Sequence, residues 1–479
     1  MQSPYDGRFT IKKRAKRYFP IEKGVYMIKI SKRSLSTVQI VLLSFLIAIL
    51  IGSILLALPI SSASGTAVPY IDALFTATSA TCVTGLVTLI TYSTWSIFGQ
   101  IVILILIQIG GLGVITMMTG VMLILNRKIG ISDRMLIQDS FNLNSMSGLV
   151  AFVKKVLLGT VIIEVIGAIA YMFVFIPEFG PKGIWISFFN SVSAFCNAGI
   201  DIIGEASLCG HATNVLVNTT TSVLIILGGI GYIVWWDVVR VMRSHGREKS
   251  GIFKNLSLHS KIAIVSTLIL IIGGAVLYFI FEYNNPLTIK DMSIFDKIQV
   301  SFFQSVTTRT AGFATVPQEN LTNASAFLTL LLMFIGGSPV GTAGGVKTVT
   351  VTVLAFTAAS MIKSKSHTAL FGRSISKQFV SKAITVVIMS FSIMYLSTVL
   401  LSAVTDAPAL DIIFEAVSAT GTVGLSRNLT PSLNLAGKMI MICTMYCGRV
   451  GPISLAIAFK SSKTSTNIIQ EPTEEVTIG

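Results

Sequence analysis

The 479-residue sequence is 52% hydrophobic and only 12% charged, with a mean hydropathy of +0.79. No water-soluble domain of this size tolerates that composition at its surface, so the chain reads as a multi-pass membrane protein. Its net charge of +15 lies in short runs between apolar spans, not on one face of a soluble domain, which argues against nucleic acid as a partner and marks the runs as topology charges.

The first 36 residues are basic and polar, with Lys12, Lys13, Arg14, Lys16 and Arg17, and are expected to form a cytoplasmic tail. The run Val38–Ile60 has no small-residue cleavage pattern and is too long for a secretory signal core, so it predicts the first spanning helix. A bilayer takes about 20 apolar residues to cross. By that measure residues 37–126 hold two spans, Val38–Ile60 and Ile97–Leu125, around a half-span, Tyr70–Ala80. After a linker over 127–148, residues 149–239 repeat the arrangement as Leu149–Ile176, Trp185–Ala194 and Val215–Val239. A basic linker over 240–260 leads to residues 261–361, with Ile262–Phe281, Phe295–Val306 and the long run Phe327–Met361. A second basic linker over 362–382 precedes residues 383–460, with Ala383–Val404, Ile412–Ala419 and Met439–Phe459, and a tail over 461–479. The expected fold is all-α: four helix, pore-loop, helix repeats in pseudo-fourfold symmetry around one central pore, with eight transmembrane helices and four re-entrant pore helices.

Charge placement gives an independent handle on the topology. Basic residues gather at Lys29, Lys32 and Arg33, at Arg127, Lys128 and Arg134, at Arg240, Arg243, Arg247, Lys249 and Lys254, at Lys363, Lys365, Arg373, Lys377 and Lys382, and at Lys460 and Lys463. Every repeat therefore begins and ends on one side, which the positive-inside rule makes cytoplasmic, with both termini there. Two crossings per repeat then force each half-span to dip in and return on the outer face. Lipid cannot satisfy free backbone groups, so such segments must be buried in protein or line water. Half-helices running inward would turn their partially negative C-terminal ends toward a shared cavity, a field that favours a cation.

After each half-span the chain makes a glycine turn: SATCVTGLVT, SVSAFCNAGID, SVTTRTAGFAT and SATGTVGLSRN, with glycines at 85, 199, 312 and 424 and separations of 114, 113 and 112 residues. A period this long is outside the solenoid range and implies module-sized repeats about an axis. Glycine takes positive φ without steric cost, so carbonyls at Val83, Thr84 and Gly85, Asn197, Ala198 and Gly199, Thr310, Ala311 and Gly312, and Thr422, Val423 and Gly424 can replace an ion's hydration shell. Neutral carbonyls suit a dehydrated monovalent cation, whereas divalent ions call for carboxylates, and Asp201 follows only the second turn. One Gly turn is weak as a signal; four in register are strong.

Gly336, Gly337, Gly341, Gly344 and Gly345, with Pro339, interrupt the longest apolar run, where each interior Gly costs about 1 kcal/mol and a Pro about 3 in a helix. A break at membrane depth has to line a cavity; the bland alternative is a packing kink. A nucleotide P-loop is excluded, because Gly345, Val346, Lys347 and Thr348 separate the Gly from the Lys and no strand precedes them. Arg449 lies within the last run and needs a partner there, either carbonyls of this broken stretch or an ion pair with Glu164. Gly110, Gly111 and Gly113 read as close-packing sites, and Trp235–Trp236 as an interfacial anchor. The five cysteines, Cys82, Cys196, Cys209, Cys443 and Cys447, and four scattered histidines form no disulfide framework or metal spacing.

At the four turns, at GGSPVGTAGGVKT (336–348) and at CGRVGP (447–452), the chain resembles the Trk/Ktr/HKT superfamily of potassium transporters over nearly its whole length. Eight spans rather than ten make it most similar to the ion-translocating Ktr-type subunit of bacterial plasma membranes. The resemblance implies K⁺ selection at Gly85, Gly199, Gly312 and Gly424. It also implies a gate formed by the loop Gly336, Gly337, Ser338, Pro339, Gly341, Thr342, Ala343, Gly344, Gly345 and Lys347, with Arg449 beside it. It further implies a homodimer in contact with membrane lipid, regulated by a cytoplasmic nucleotide-binding (RCK-type) ring near Arg247 and Arg373, with no organic cofactor in this chain. Na⁺ as a coupling ion stays open. A Na⁺-conducting homologue is the alternative in the same class. A membrane-embedded enzyme is a distant third, since no His, Asp or Ser cluster converges at membrane depth.

Overall fold

The computed structural model describes residues 36–125, 129–140, 148–244, 251–365, 367–451 and 454–455. Apart from Ser36, the expected N-terminal tail lies outside the described residues, as do the tail over 461–479, Arg127, Lys128, Arg247, Lys249 and Lys460. In chain order the helices and strands are α1 (Thr37–Ala57), α2 (Tyr70–Thr81), the single turn α3 (Thr91–Thr94), α4 (Ile97–Leu112), α5 (Val114–Ile124), α6 (Ile131–Ser140), α7 (Leu149–Phe179), α8 (Lys182–Cys196), α9 (Val215–Gly229), α10 (Tyr232–Ser244), α11 (Ile252–Asn255), α12 (Leu258–Glu282), α13 (Ile294–Thr307), α14 (Asn323–Phe334), α15 (Thr348–Ile362), β1 (Ala369–Leu370), β2 (Arg373–Ser374), α16 (Lys377–Ser402), α17 (Ala409–Gly421) and α18 (Leu435–Val450).

Polar caps set many of the helix starts. Ser36 and Gln39 form a reciprocal capping box on α1, and Ser96, Asn214, Ser257, Ser293, Thr322 and Asn434 each accept a first-turn amide. The helices α1, α7, α12 and α16 are long and apolar enough to cross a membrane. Ile54, Phe173, Ile269 and Phe391 on these helices are all more than half exposed, an arrangement suited to lipid rather than water.

The second span of each repeat departs from expectation. The run Ile97–Leu125 is not one helix: α4 and α5 meet at a bend of 101°, and α9 and α10, within the expected Val215–Val239, at 94°. Gly113 (φ 84°) and Gly231 (φ 96°) sit at these bends in a conformation closed to other residues. In the third repeat α14 and α15 are separated by residues 335–347, and in the fourth α18 stops at Gly451 (φ 87°). Among the described residues, then, four helices are continuous, the expected second spans of the first three repeats are interrupted, and α18 ends at Gly451. The half-spans fall at α2, α8, α13 and α17, within a few residues of their expected limits. The expected linker over 362–382 contains a two-residue hairpin, β1 with β2, turned by Phe371 and Gly372, both at positive φ.

Packing runs in a cycle. The half-helix α2 is held by α1 and α4, α8 by α7 and α9, α13 by α12, and α17 by α16 and α18. Each later helix also reaches the next half-helix along: α4 packs on α8, α9 on α13, α14 on α17, and α18 back on α2. Polar contacts mark the same seams. Trp185 Nε1 donates to Gln100 Oε1 at 2.7 Å, Asn197 Nδ2 to the Arg309 carbonyl at 3.3 Å, and Arg427 Nη1 to the Gln318 carbonyl at 2.9 Å. The seam between the fourth and first repeats is an ion pair, Lys438 Nζ to Asp72 Oδ1 at 2.5 Å, both side chains largely buried. Removing one partner of a buried pair leaves the other charge uncompensated, at a cost of about 3 kcal/mol. Asp72→Ala is therefore expected to lower the thermal stability of the detergent-solubilised protein by about that amount, and the double change Asp72→Ala with Lys438→Met to recover part of the loss. Equal stability of Asp72→Ala and wild type would show that the ion pair does not hold the seam.

Candidate functional site

The four turns that follow the half-helices share one backbone path. Val83, Asn197, Thr310 and Thr422 are left-handed (φ 54°, 60°, 62° and 50°), and two residues later Gly85, Gly199, Gly312 and Gly424 are again at positive φ (93°, 63°, 81° and 98°). The glycines meet as a closed ring. A β-carbon on Gly85 would stand 2.5 Å from the carbonyl oxygen of Ala198, one on Gly199 2.6 Å from that of Ala311, and one on Gly312 2.5 Å from that of Val423. One on Gly424 would run into the carbonyl of Thr84, which closes the circle. Backbone conformation and close approach thus both demand glycine at each position. The four glycines meet the carbonyls of Thr84, Ala198, Ala311 and Val423, and the left-handed Val83, Asn197, Thr310 and Thr422 precede them in the chain. Asp201 stays with its own segment, where its carboxylate accepts from Ser207 Oγ at 2.6 Å.

A common frame supports the turns. Phe75, Phe189, Phe303 and Phe414 are fully buried in the half-helices, and a hydroxyl follows each by four residues: Ser79, Ser193, Thr307 and Ser418. The carbonyls of Ser79, Ser193 and Ser418 each accept an amide of the turn at 2.8 Å, from Thr84, Ala198 and Val423. Their hydroxyls brace the ring itself. Ser79 and Ser418 accept from the amides of Gly85 and Gly424 at 3.0 Å, while Ser193 and Thr307 donate to the carbonyls of Ile200 and Phe313. The third turn is one residue shorter from this hydroxyl to its glycine, and it carries a buried arginine, Arg309. The sequence reading passed over these hydroxyls and Arg309, although a Ser or Thr standing shortly before each ring glycine was visible in the quoted segments. Gly110, Gly228 and Gly448 press on the carbonyls of Thr81, Phe195 and Thr420, each four residues before a ring glycine. Close packing is thus the role of Gly110, and of Gly111 against Cys196, while Gly113 makes the bend.

The broken segment 335–347 hangs from three of the turns. Thr342 Oγ1 lies 2.8 Å from Asn197 Oδ1 and 3.1 Å from the Phe195 carbonyl, the Gly344 amide donates to Thr310 Oγ1 at 3.0 Å, and a β-carbon on Gly344 would overlap Thr422 Oγ1. The Ser338 and Thr342 amides donate to the carbonyls of Gly229 and Gly228 at 2.8 and 3.1 Å. Gly336 pairs with Val346, Thr348 with Gly337, and Ser338 Oγ with Thr348 Oγ1, so the segment is a closed loop, not a kink. The first turn packs on α4, with Val83 against Gly110.

Three cations grip this loop by its carbonyls. Arg449 Nη1 donates to Thr342 at 2.6 Å and its Nη2 to Gly110 at 2.5 Å; Lys347 Nζ donates to Ala343 at 2.6 Å and Gly344 at 3.2 Å; Arg309 Nη2 reaches Gly336 at 3.4 Å. Of the two partners weighed for Arg449, the loop carbonyl is the one it meets. Glu164 instead accepts from Gln108 Nε2 at 2.9 and 2.8 Å, and from Cys196 Sγ at 4.0 Å. A cavity of about 650 Å³ opens beside the loop, walled by Gly111, Thr116, Gly344, Lys347, Gly421 and Arg449. Trp235 Nε1 donates to the Leu227 carbonyl at 2.9 Å across the bend between α9 and α10.

The TrkH family of cation transport proteins matches residues 14–470. The chain is 41% identical over 455 residues to the potassium/sodium uptake protein NtpJ of Enterococcus hirae, covering 94% of this chain and 98% of that protein. It is 39% identical over 442 residues to the Ktr system potassium uptake protein B of Bacillus subtilis, covering 92% and 96%. Among solved structures, the potassium transporter TrkH of Vibrio parahaemolyticus superposes with a TM-score of 0.70 over 90% of this chain and 86% of that one, a likeness of fold at 18% identity.

The loop geometry makes a stability prediction. Gly344→Ala has no room for its methyl group, whereas a β-carbon on Gly273 in α12 meets nothing within 4 Å. Gly344→Ala is expected to lower the thermal midpoint in detergent by several degrees, and Gly273→Ala to leave it level or raise it, as about 1 kcal/mol of helix propensity allows. Equal behaviour of the two variants would contradict the packing of the loop on Thr422.

Proposed function

The chain belongs to the TrkH family of cation transport proteins, and from that premise we propose that it takes up K⁺ across the bacterial plasma membrane through a selectivity filter built by the four glycine turns. The observation that carries this reading is the closed ring, in which Gly85, Gly199, Gly312 and Gly424 each face the carbonyl of the next turn. Four half-helices end within a few residues of the ring, and their C-terminal partial charges favour a cation there. Carbonyls of the turns take the place of the hydration shell of a monovalent ion.

On this reading the repeats surround one central pore, K⁺ passes the ring, and the loop 336–348 beneath it acts as the gate. Arg449 and Lys347 hold that loop through the carbonyls of Thr342, Ala343 and Gly344, and their charges set an electrostatic step against an ion lingering in the cavity. A homodimer, both termini in the cytoplasm and control by a cytoplasmic nucleotide-binding ring near Arg247 and Arg373 belong to the same proposal and rest on the family resemblance. A second reading, a pathway that also carries or requires Na⁺, is favoured by the 41% identity to a protein named for potassium and sodium uptake.

Cation uptake into proteoliposomes, with K⁺, Rb⁺ and Na⁺ in competition, separates the two. Wild type is expected to prefer K⁺ and Rb⁺ over Na⁺ by at least about tenfold, or 1.4 kcal/mol. Gly85→Ser and Gly312→Ser should erode that preference, and Arg449→Ala should raise flux while leaving it in place. Equal entry of Na⁺ into wild-type vesicles would overturn the K⁺ assignment, and serine variants with full preference would reduce the ring to a set of structural turns.

A further inference from the structure

The frame behind the ring contains a second set of four residues in register. Each buried Phe is followed by a polar side chain: Thr76, Asn190, Gln304 and Glu415, exposed by 1, 2, 2 and 0%. Polar groups buried this deeply are costly unless they have partners. In the third and fourth repeats the partner stands six residues beyond the ring glycine. Gln304 Nε2 donates to Gln318 Oε1 at 2.7 Å, with a return bond of 3.3 Å, and Thr430 Oγ1 donates to Glu415 Oε2 at 2.8 Å. Glu415 Oε1 also accepts from Ser426 Oγ, two residues beyond Gly424. In the first and second repeats the side-chain oxygen of Thr76 and both polar atoms of Asn190 have no partner among the described residues.

We propose that Glu415 and Gln304 are positioning residues for ion selection, tying the outgoing strands of the third and fourth turns to their own half-helices so that this half of the ring resists contraction around a smaller ion. Two oxygens let Glu415 hold Ser426 and Thr430 together, so the strand is fixed at two points four residues apart. The paired amides of Gln304 and Gln318, both buried, fix the third strand at one point by two bonds. Thr76 ties down nothing, and Asn190 likewise. The ring is therefore stiff on one side and more adaptable on the other, and discrimination between K⁺ and Na⁺ depends mainly on the stiff side. This inference rests on reading the ring as a selectivity filter.

The test compares wild type with Thr430→Val, Gln304→Leu, Glu415→Gln and Thr76→Val in proteoliposomes, measuring the competition of Na⁺ with Rb⁺ uptake and, separately, the thermal midpoint. Thr430→Val and Gln304→Leu are each expected to lower the Rb⁺ over Na⁺ ratio about fivefold, the equivalent of one net hydrogen bond, while Rb⁺ uptake continues. Glu415→Gln keeps one acceptor oxygen and should fall between them and wild type, and Thr76→Val should move the ratio least. Loss of thermal stability with an unchanged ratio would assign these residues a purely structural role and overturn the proposal. So would a Thr76→Val effect as large as that of Thr430→Val. A wild-type chain indifferent between the two ions would sink the filter reading itself, whereas a selective wild type with unmoved variants would sink only this inference.

Discussion

The molecule is organised around a contact in which there is no side chain at all. Each ring glycine puts its bare α-carbon against the carbonyl of the following turn, and the last turn does the same to the first. A circle of this kind forms only if four half-helices arrive at the same depth with the same twist. The buried Phe, the hydroxyl four residues later and the left-handed residue before the glycine deliver that in every repeat. Glycines in the outer helices extend the principle outward: at Gly110, Gly228 and Gly448 backbone meets backbone because nothing intervenes.

The loop over 335–347 is the one strong break in this symmetry. Where α4 and α5, and α9 and α10, are joined by a bend at one glycine, this stretch is a loop, and it is held by the second, third and fourth turns together. Irregular backbone at membrane depth carries amides and carbonyls that need partners. Here they are supplied by Gly228, Gly229 and Thr310 on one side and by Arg449, Lys347 and Arg309 on the other. An arginine inside an apolar helix is costly unless its donors are used, and carbonyls freed from helical pairing are natural acceptors. The breaks and the buried cations thus answer one another.

The sequence made the ring and the half-helices legible because their signals are local and repeated: a glycine after a short apolar run, four times, at a near-constant interval. The loop was legible as a break because five glycines and a proline cannot continue a helix. The bends at Gly113 and Gly231 were not, since the apolar run continues through them and one glycine in a membrane span is ordinary. The positive φ that Gly113 and Gly231 adopt at these bends leaves no trace in hydropathy. Glu415 and Gln304 escaped notice for a similar reason. A single polar residue on a half-helix looks like a solvent-facing position until the buried partner six residues past the glycine is seen. Arg309 was hidden within the third turn, whose motif it lengthens in appearance while the path itself is shorter.

The pairing of Lys438 with Asp72 spans 366 residues of chain, nearly the full distance from one end of the described fold to the other. A ribosome delivers the chain to the membrane from its N-terminus, so Asp72 is inserted long before its partner has been made. Until α18 emerges, α2 lacks the helix that covers one of its sides. Until then Asp72 lacks the partner it has in the finished fold. A nascent chain cut short before Lys438 carries all four ring glycines yet lacks the ion pair that joins α18 to α2.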